Sequence, residues 1–259
     1  MARGLVIAAP SSGSGKTVVT LGLLRALREA GHDVSSAKVG PDYIDPRFHE
    51  KATGKPCFNL DPWAMAPEMI RGLMTSAAPL TVIEGVMGLF DGPRGAKGST
   101  ADLASLLGLP VVLVVDARHQ SQSVAALVHG FASYRADVQV AGVILNRVAS
   151  DRHEAMLRDV LGDRVLGVIR QADTLALPSR HLGLVQADEN QGLEGFISEA
   201  ARSVGIAVDM ARLAGLAAPL MASGSTAAPL PPLAQTIAIA RDEAFAFFYS
   251  HLAQAWRAA

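Results

Sequence analysis

One cysteine, few aromatic residues and almost no net charge mark this 259-residue chain, and each shortage removes a class of function. The single thiol, Cys57, excludes an internal disulfide and a metal site built from clustered cysteines. A lone thiol also fits a reducing compartment, so a cytoplasmic location is expected. Lys and Arg number 23 against 24 Asp and Glu, which leaves no basic surplus to attract a nucleic-acid backbone or an anionic membrane. No apolar run approaches the roughly 18–20 residues that a membrane helix needs. The opening residues are too short an apolar stretch for a signal peptide and read as a strand. The 7 histidines show no paired zinc spacing.

What is abundant is aliphatic. Half of the residues are apolar while aromatics make up 5%, so the core must be built from Val, Leu, Ile and Ala, as suits a helix-covered parallel sheet. Strand-length apolar runs occur at 5–9, 34–39, 80–84, 111–116, 140–146 and 165–169. Helical spacing occupies 16–30, 67–76, 100–107, 121–134 and 151–161, with Gly31 at a helix C-terminus. This alternation predicts an α/β fold with a doubly wound, mainly parallel sheet. A further helix is expected from residue 192, packed on the sheet's edge. Three units are read along the chain: a domain over 1–216, an Ala/Pro/Ser/Gly-rich linker over 217–234, and a strand and helix over 235–259 that are too small to be stable alone. The strand of that last unit falls at 236–240.

The segment Ala9-Pro-Ser-Ser-Gly-Ser-Gly-Lys-Thr17 joins the first strand to the first helix and reads as a P-loop. Small residues at Ser12, Gly13, Ser14 and Gly15 let backbone N–H groups turn inward around a polyphosphate. Lys16 supplies positive charge, the Thr17 hydroxyl is placed to ligate Mg²⁺, and the helix aims its positive end at the anion. Pro10 stands where the motif's first glycine belongs. ATP and Mg²⁺ are the expected cofactors.

Two acidic loops reach the same edge. Lys38-Val-Gly-Pro-Asp-Tyr-Ile-Asp-Pro46 follows the second strand, and Glu84-Gly-Val-Met-Gly-Leu-Phe-Asp-Gly92 follows the next. Singly, Asp45 before Pro46 is compatible with a turn and Asp91 with a loop tip. Together, Asp45, Glu84 and Asp91 beside a polyphosphate require a divalent cation to offset their repulsion. Asn146, which ends the strand at 140–146, suits either a purine edge or a strand-ending turn. The run 116–123 suits either a ligand border or a helix cap by Ser121 or Ser123, and His119 carries no distinguishing pattern. Cys57 has no general base beside it in sequence and reads as a buried thiol.

The blocks A-P-S-S-G-S-G-K-T, K-V-G-P-D-Y-I-D-P, F-N-L-D and E-G-V-M-G-L-F-D-G resemble those of the cobyrinate or hydrogenobyrinate a,c-diamide synthases, within the wider dethiobiotin-synthetase-like group of P-loop ligases. The resemblance implies a carbon–nitrogen ligase of cobalamin biosynthesis that amidates the a and c carboxylates of a corrinoid, with one ATP and one acyl phosphate per amide. It assigns Mg²⁺ to Thr17, Asp45 and Glu84, phosphoryl stabilisation to Lys16 and Lys38, substrate positioning to Asp91 with Asp42 and Tyr43, and adenine reading to Asn146. It also implies glutamine-derived ammonia from a class I glutaminase domain, of which residues 235–259 resemble the opening strand and helix, with the remainder truncated. The apolar Phe245, Phe247 and Phe248 favour self-association, and a homodimer is compatible with the sequence. Overall resemblance leans to the metal-free corrinoid. A related ligase such as cobyric acid synthase, and a ParA- or MinD-like ATPase switch, are the alternatives; the long E-G-V-M-G-L-F-D-G block and the absence of a lysine early in the P-loop weigh against them.

Overall fold

A computed structural model of the chain describes residues 2–172, 175, 179–180, 183–184, 186–189, 191–221, 230–242 and 245–259. Its centre is a sheet of seven parallel strands: β1 (Arg3–Ala8), β2 (Val34–Val39), β3 (Cys57–Leu60), β4 (Leu80–Glu84), β5 (Val111–Asp116), β6 (Val140–Val148) and β7 (Val165–Arg170). They lie in the order β3-β2-β4-β1-β5-β6-β7. The expected doubly wound P-loop fold is the observed one. The chain winds from β1 to one side and later, through β5, to the other, so β1 sits at the reversal, where ligands of such sheets bind beyond the strand ends.

Helices α1 (Lys16–Glu29), α2 (Asp45–Thr53), α3 (Pro67–Leu73), α4 (Thr100–Leu107), α5 (Val124–Ser133), α6 (Asp151–Leu161), α7 (Leu193–Ala207) and α8 (Met210–Leu216) cover the sheet. Alternate strand residues point to opposite faces. Val6, Ile83, Leu113 and Leu145 pack with α3 to α6 through Ile70, Leu103, Val124 and Leu157. Leu5, Ile7, Val82 and Ile144 pack with α1, α2, α7 and α8 through Leu21, Phe48, Ile197 and Leu213. Both faces are dry, which explains the near-continuous Val/Ile/Leu runs.

Four expectations are corrected. The segment after β2 is not loop throughout, because Pro46 in the first turn and Gly54 at φ 74 start and stop α2. Cys57–Leu60 forms an edge strand too short to show a period. α7 packs along α1 over a sheet face as well as on β7: a Cβ at Gly22 would lie 2.7 Å from the Ala200 carbonyl. The domain runs past 216. After a small hairpin, β8 (Ser179–Arg180) with β9 (Gly183–Leu184), the strand β10 (Ala218–Pro219) returns antiparallel to β1. Residues 222–229 of the expected linker lie outside the described residues.

Residues 236–240 form no strand. They are almost wholly exposed and have no paired neighbour, so their apolar pattern lacks the sheet that would bury it. The helix expected directly after them is not found at the described residues 241–242 and 245–249, and a helix, α9 (Ser250–Ala258), begins only beyond these.

Gly22→Val should overpack the α1–α7 contact and lower stability by about 1–3 kcal/mol. A urea titration that shows an unchanged midpoint would place α7 elsewhere.

Candidate nucleotide and metal site

The loop after β1 turns through two left-handed glycines, Gly13 at φ 79 and Gly15 at φ 90, before α1 begins at Lys16. A side chain at Gly15 would also strike the Asn146 amide. Asn146 Nδ2 donates to the Ser14 carbonyl at 3.0 Å, which ties the end of β6 to the phosphate loop. A cleft of about 240 Å³ lies beside this contact, lined in part by Gly15, Val18, Asn146, Arg147, Ile169 and Leu175.

Strand register assembles the charged groups. Lys38 on β2 is the Cα partner of Glu84 on β4, and Glu84 is also paired with Ile7 of β1. The Thr17 hydroxyl donates to Glu84 Oε1 at 2.7 Å and lies 3.4 Å from Asp45 Oδ2. Lys38 Nζ donates to the Gly85 carbonyl at 3.1 Å and stands 3.5 Å from Asp45. Lys16 Nζ donates to the Met87 carbonyl at 2.8 Å, so the loop after β4 folds over the phosphate loop. Thr17, Asp45, Glu84, Lys16 and Lys38 are thus brought together.

Asp91 makes its hydrogen bond within its own turn, where its Oδ2 accepts the Gly88 N–H at 2.8 Å, and its charge acts on Lys16. Asp42 accepts the N–H groups of Ile44 and Asp45 and so caps the entry to α2. Tyr43 stacks against Phe247 and Tyr249, with centroids 5.0 and 4.6 Å away. Phe247 therefore meets an aromatic partner yet stays 58% exposed, and Phe245 is 62% exposed.

Burial dominates the electrostatics. Asp45 is pushed up to about 7, first by loss of water and then by the charge of Glu84, with Lys38 opposing. Burial would raise Glu84 too, but contacts with His49, Lys38 and Thr17 hold it down at about 2. Burial lowers Lys16. Lys38 is raised, because Glu84 and Asp45 outweigh its own desolvation. Crowded carboxylate and hydroxyl oxygens are hard donors, the set that suits Mg²⁺ together with phosphate oxygens and water.

Two residues escaped sequence reasoning. His49 donates or accepts through Nε2 at 2.6 Å from Glu84 Oε2, and its Nδ1 lies 3.5 Å from Cys57 Sγ. Cys57 is buried as expected, although a base does stand beside it in space. Arg147 adopts a left-handed backbone, φ 60, and its guanidinium bridges the Gly13 carbonyl and Asp116 at 2.7 and 2.6 Å. Asp116 is held below the usual carboxylate range: burial opposes this, and Arg118 and Arg147 outweigh it. Neither Ser121 nor Ser123 caps α5 through its side chain; the Ser121 hydroxyl turns to Gln122.

Residues 5–185 match the family model described as the CobQ/CobB/MinD/ParA nucleotide binding domain. The chain belongs to that family. Within the CobQ/CobB/MinD/ParA family, it is 55% identical to the hydrogenobyrinate a,c-diamide synthase of Brucella ovis and 56% identical to that of Rhizobium meliloti. Each alignment covers 98% of this chain and 61% of the relative, so the chain spans less than two thirds of their length. Among solved structures, the MinD cell division protein of Aquifex aeolicus is 16% identical, with 85% of this chain and 99% of that one covered at a TM-score of 0.48. The family match ends before α7, which nevertheless completes the layer over α1. No helix among the described residues is long and apolar enough to cross a membrane.

Asp45 titrates at 3.8 without the fold and at about 7 within it, so its ionisation costs stability that grows between those values and is complete above the upper one. Asp45→Asn should therefore raise the melting temperature of the ligand-free protein at about pH 8 and give no gain at about pH 4. Equal effects at both values would mean that the crowding described here is absent.

Proposed function

We propose that the chain is the ATP-dependent synthetase part of a hydrogenobyrinate a,c-diamide synthase, forming the a and c amides of a corrinoid. The convergence of Thr17, Asp45 and Glu84 beside Lys16 carries this reading, in a chain 55% identical to enzymes of that name. Those names also favour the metal-free acid over its cobalt complex as acceptor.

In this reading the backbone of Ser12 to Thr17 cradles the ATP phosphates, and the cleft beside Asn146 takes the adenine. Thr17, Asp45 and Glu84 hold Mg²⁺, which when bound neutralises charge on the β- and γ-phosphates. Lys16 exchanges the Met87 carbonyl for phosphate oxygen. Lys38 stays buried between the carboxylates and steadies the transferring phosphoryl group. Asp91, at the mouth of the loop after β4, orients the acceptor carboxylate or the attacking ammonia.

The chemistry balances in two displacements. A corrinoid carboxylate oxygen attacks the γ-phosphorus, the bond to the β,γ-bridging oxygen breaks, and ADP leaves with that electron pair. Ammonia then adds to the acyl carbon, phosphate departs, and the nitrogen gives up a proton to become the amide. None of these steps needs a protein nucleophile; positioning and charge suffice. The one cysteine is buried against His49 and does not face the site as a nucleophile for glutamine.

Incubation with hydrogenobyrinate, ¹⁵N-ammonia, ATP and Mg²⁺ should release one phosphate per ¹⁵N found in the corrinoid by mass spectrometry. Lys16→Ala should abolish both. ATP-dependent dimerisation with phosphate release indifferent to the corrinoid would instead support an ATPase switch and overturn the proposal.

A further inference from the structure

His49 lies outside the phosphate loop and the acidic loop tips, yet it touches the carboxylate on which the metal reading depends. It stands four residues after Asp45 on α2, so one helix face presents both side chains to the same edge. The imidazole is completely buried and Glu84 is 1% exposed, which makes their 2.6 Å contact a sealed one.

The two oxygens of Glu84 are divided between different tasks. Oε2 is engaged by His49 Nε2, whereas Oε1 accepts at 2.7 Å from the Thr17 hydroxyl, which also lies 3.4 Å from Asp45 Oδ2. Lys38 is adjacent in register, but its ammonium is directed to the Gly85 carbonyl and Asp45, leaving Oε2 to the imidazole. The ring itself is held at its other nitrogen, where Cys57 Sγ from β3 lies 3.5 Å from Nδ1. The backbone N–H of Cys57 in turn donates to Glu50 of α2 at 3.3 Å, which ties β3 to the helix that carries the ring.

We propose that His49 is a positioning residue of the metal site, which locks Oε2 of Glu84 so that Oε1 is presented with Thr17 and Asp45 to the cation. This rests on the reading that those three residues hold Mg²⁺, and it adds the group that sets their geometry. Partners of this kind, one bond removed from the metal, govern its affinity without touching it.

The test uses ADP as nucleotide and needs no acceptor. Mg²⁺ is titrated into the ADP complex of the wild type, His49→Gln and His49→Asn by calorimetry, with ADP binding in EDTA as the control. The Gln amide reaches Glu84 as Nε2 does, and the Asn amide, one methylene shorter, does not. His49→Asn should weaken Mg²⁺ binding by about 10–100-fold. ADP binding in EDTA should be unchanged, and His49→Gln should restore Mg²⁺ affinity. A purely structural His49 would change melting temperature without separating Mg²⁺ from ADP.

Should either variant fail to fold, ¹⁵N-histidine-labelled wild type decides: the Nε2 resonance of His49 should move when Mg²⁺ joins the ADP complex and stay put when ADP binds in EDTA. Wild-type Mg²⁺ affinity in folded His49→Asn, or a resonance indifferent to Mg²⁺, overturns the assignment. A wild type that binds ADP equally with and without Mg²⁺ removes the metal reading itself, and His49's role with it.

Discussion

A carboxylate buried at the end of a central strand, Glu84, sets the terms for everything around it. Water cannot solvate it, so the fold supplies Thr17, His49 and Lys38 from three different elements to keep it charged. The same supply leaves Asp45 short of compensation, and its carboxyl group is driven up rather than down. Glu84 is held by three partners, whereas Asp45 meets only Lys38 at 3.5 Å and the Thr17 hydroxyl at 3.4 Å. This asymmetry follows from burial, which penalises every charge that the fold does not compensate.

The sheet's winding makes such crowding possible. Reversal at β1 places the loops after β1, β2 and β4 side by side, and parallel register carries Lys38 and Glu84 to the same height. The loop after β4 closes over the phosphate loop through Lys16 and Met87, while Asn146 fastens the far side through Ser14. The glycine turn is thus tied to the loop after β4 through Lys16 and to the end of β6 through Asn146.

The seven-stranded core was largely legible because strands buried on both faces read as runs of Val, Ile and Leu, and α4 and α6 fell where their periodicity ended. β3 was not, since Cys57–Leu60 is four residues long at the sheet edge. α2 was hidden by the turn-like Gly40-Pro-Asp and by its low apolar content, although Pro46 marked its start. The phosphate loop and both acidic loops could be named from spacing alone, but nothing in a solitary His49 or Arg147 distinguishes a clamped partner from a surface residue. The 236–240 run misled for the converse reason: its pattern is that of a strand, and pairing is a property of neighbours.

The dependence of α1 on α7 has a consequence for how the protein is made. The phosphate loop is synthesised well before the helix that seals its supporting layer, which begins at Leu193, and before the strand that closes the start of β1, at Ala218–Pro219. Until then the leucines of α1 can pack only against the strands and α2 made before them and lack the α7 side of their layer. The layer that supports the phosphate loop is therefore completed from a distance in sequence, by elements that long connections must bring back to α1 and β1.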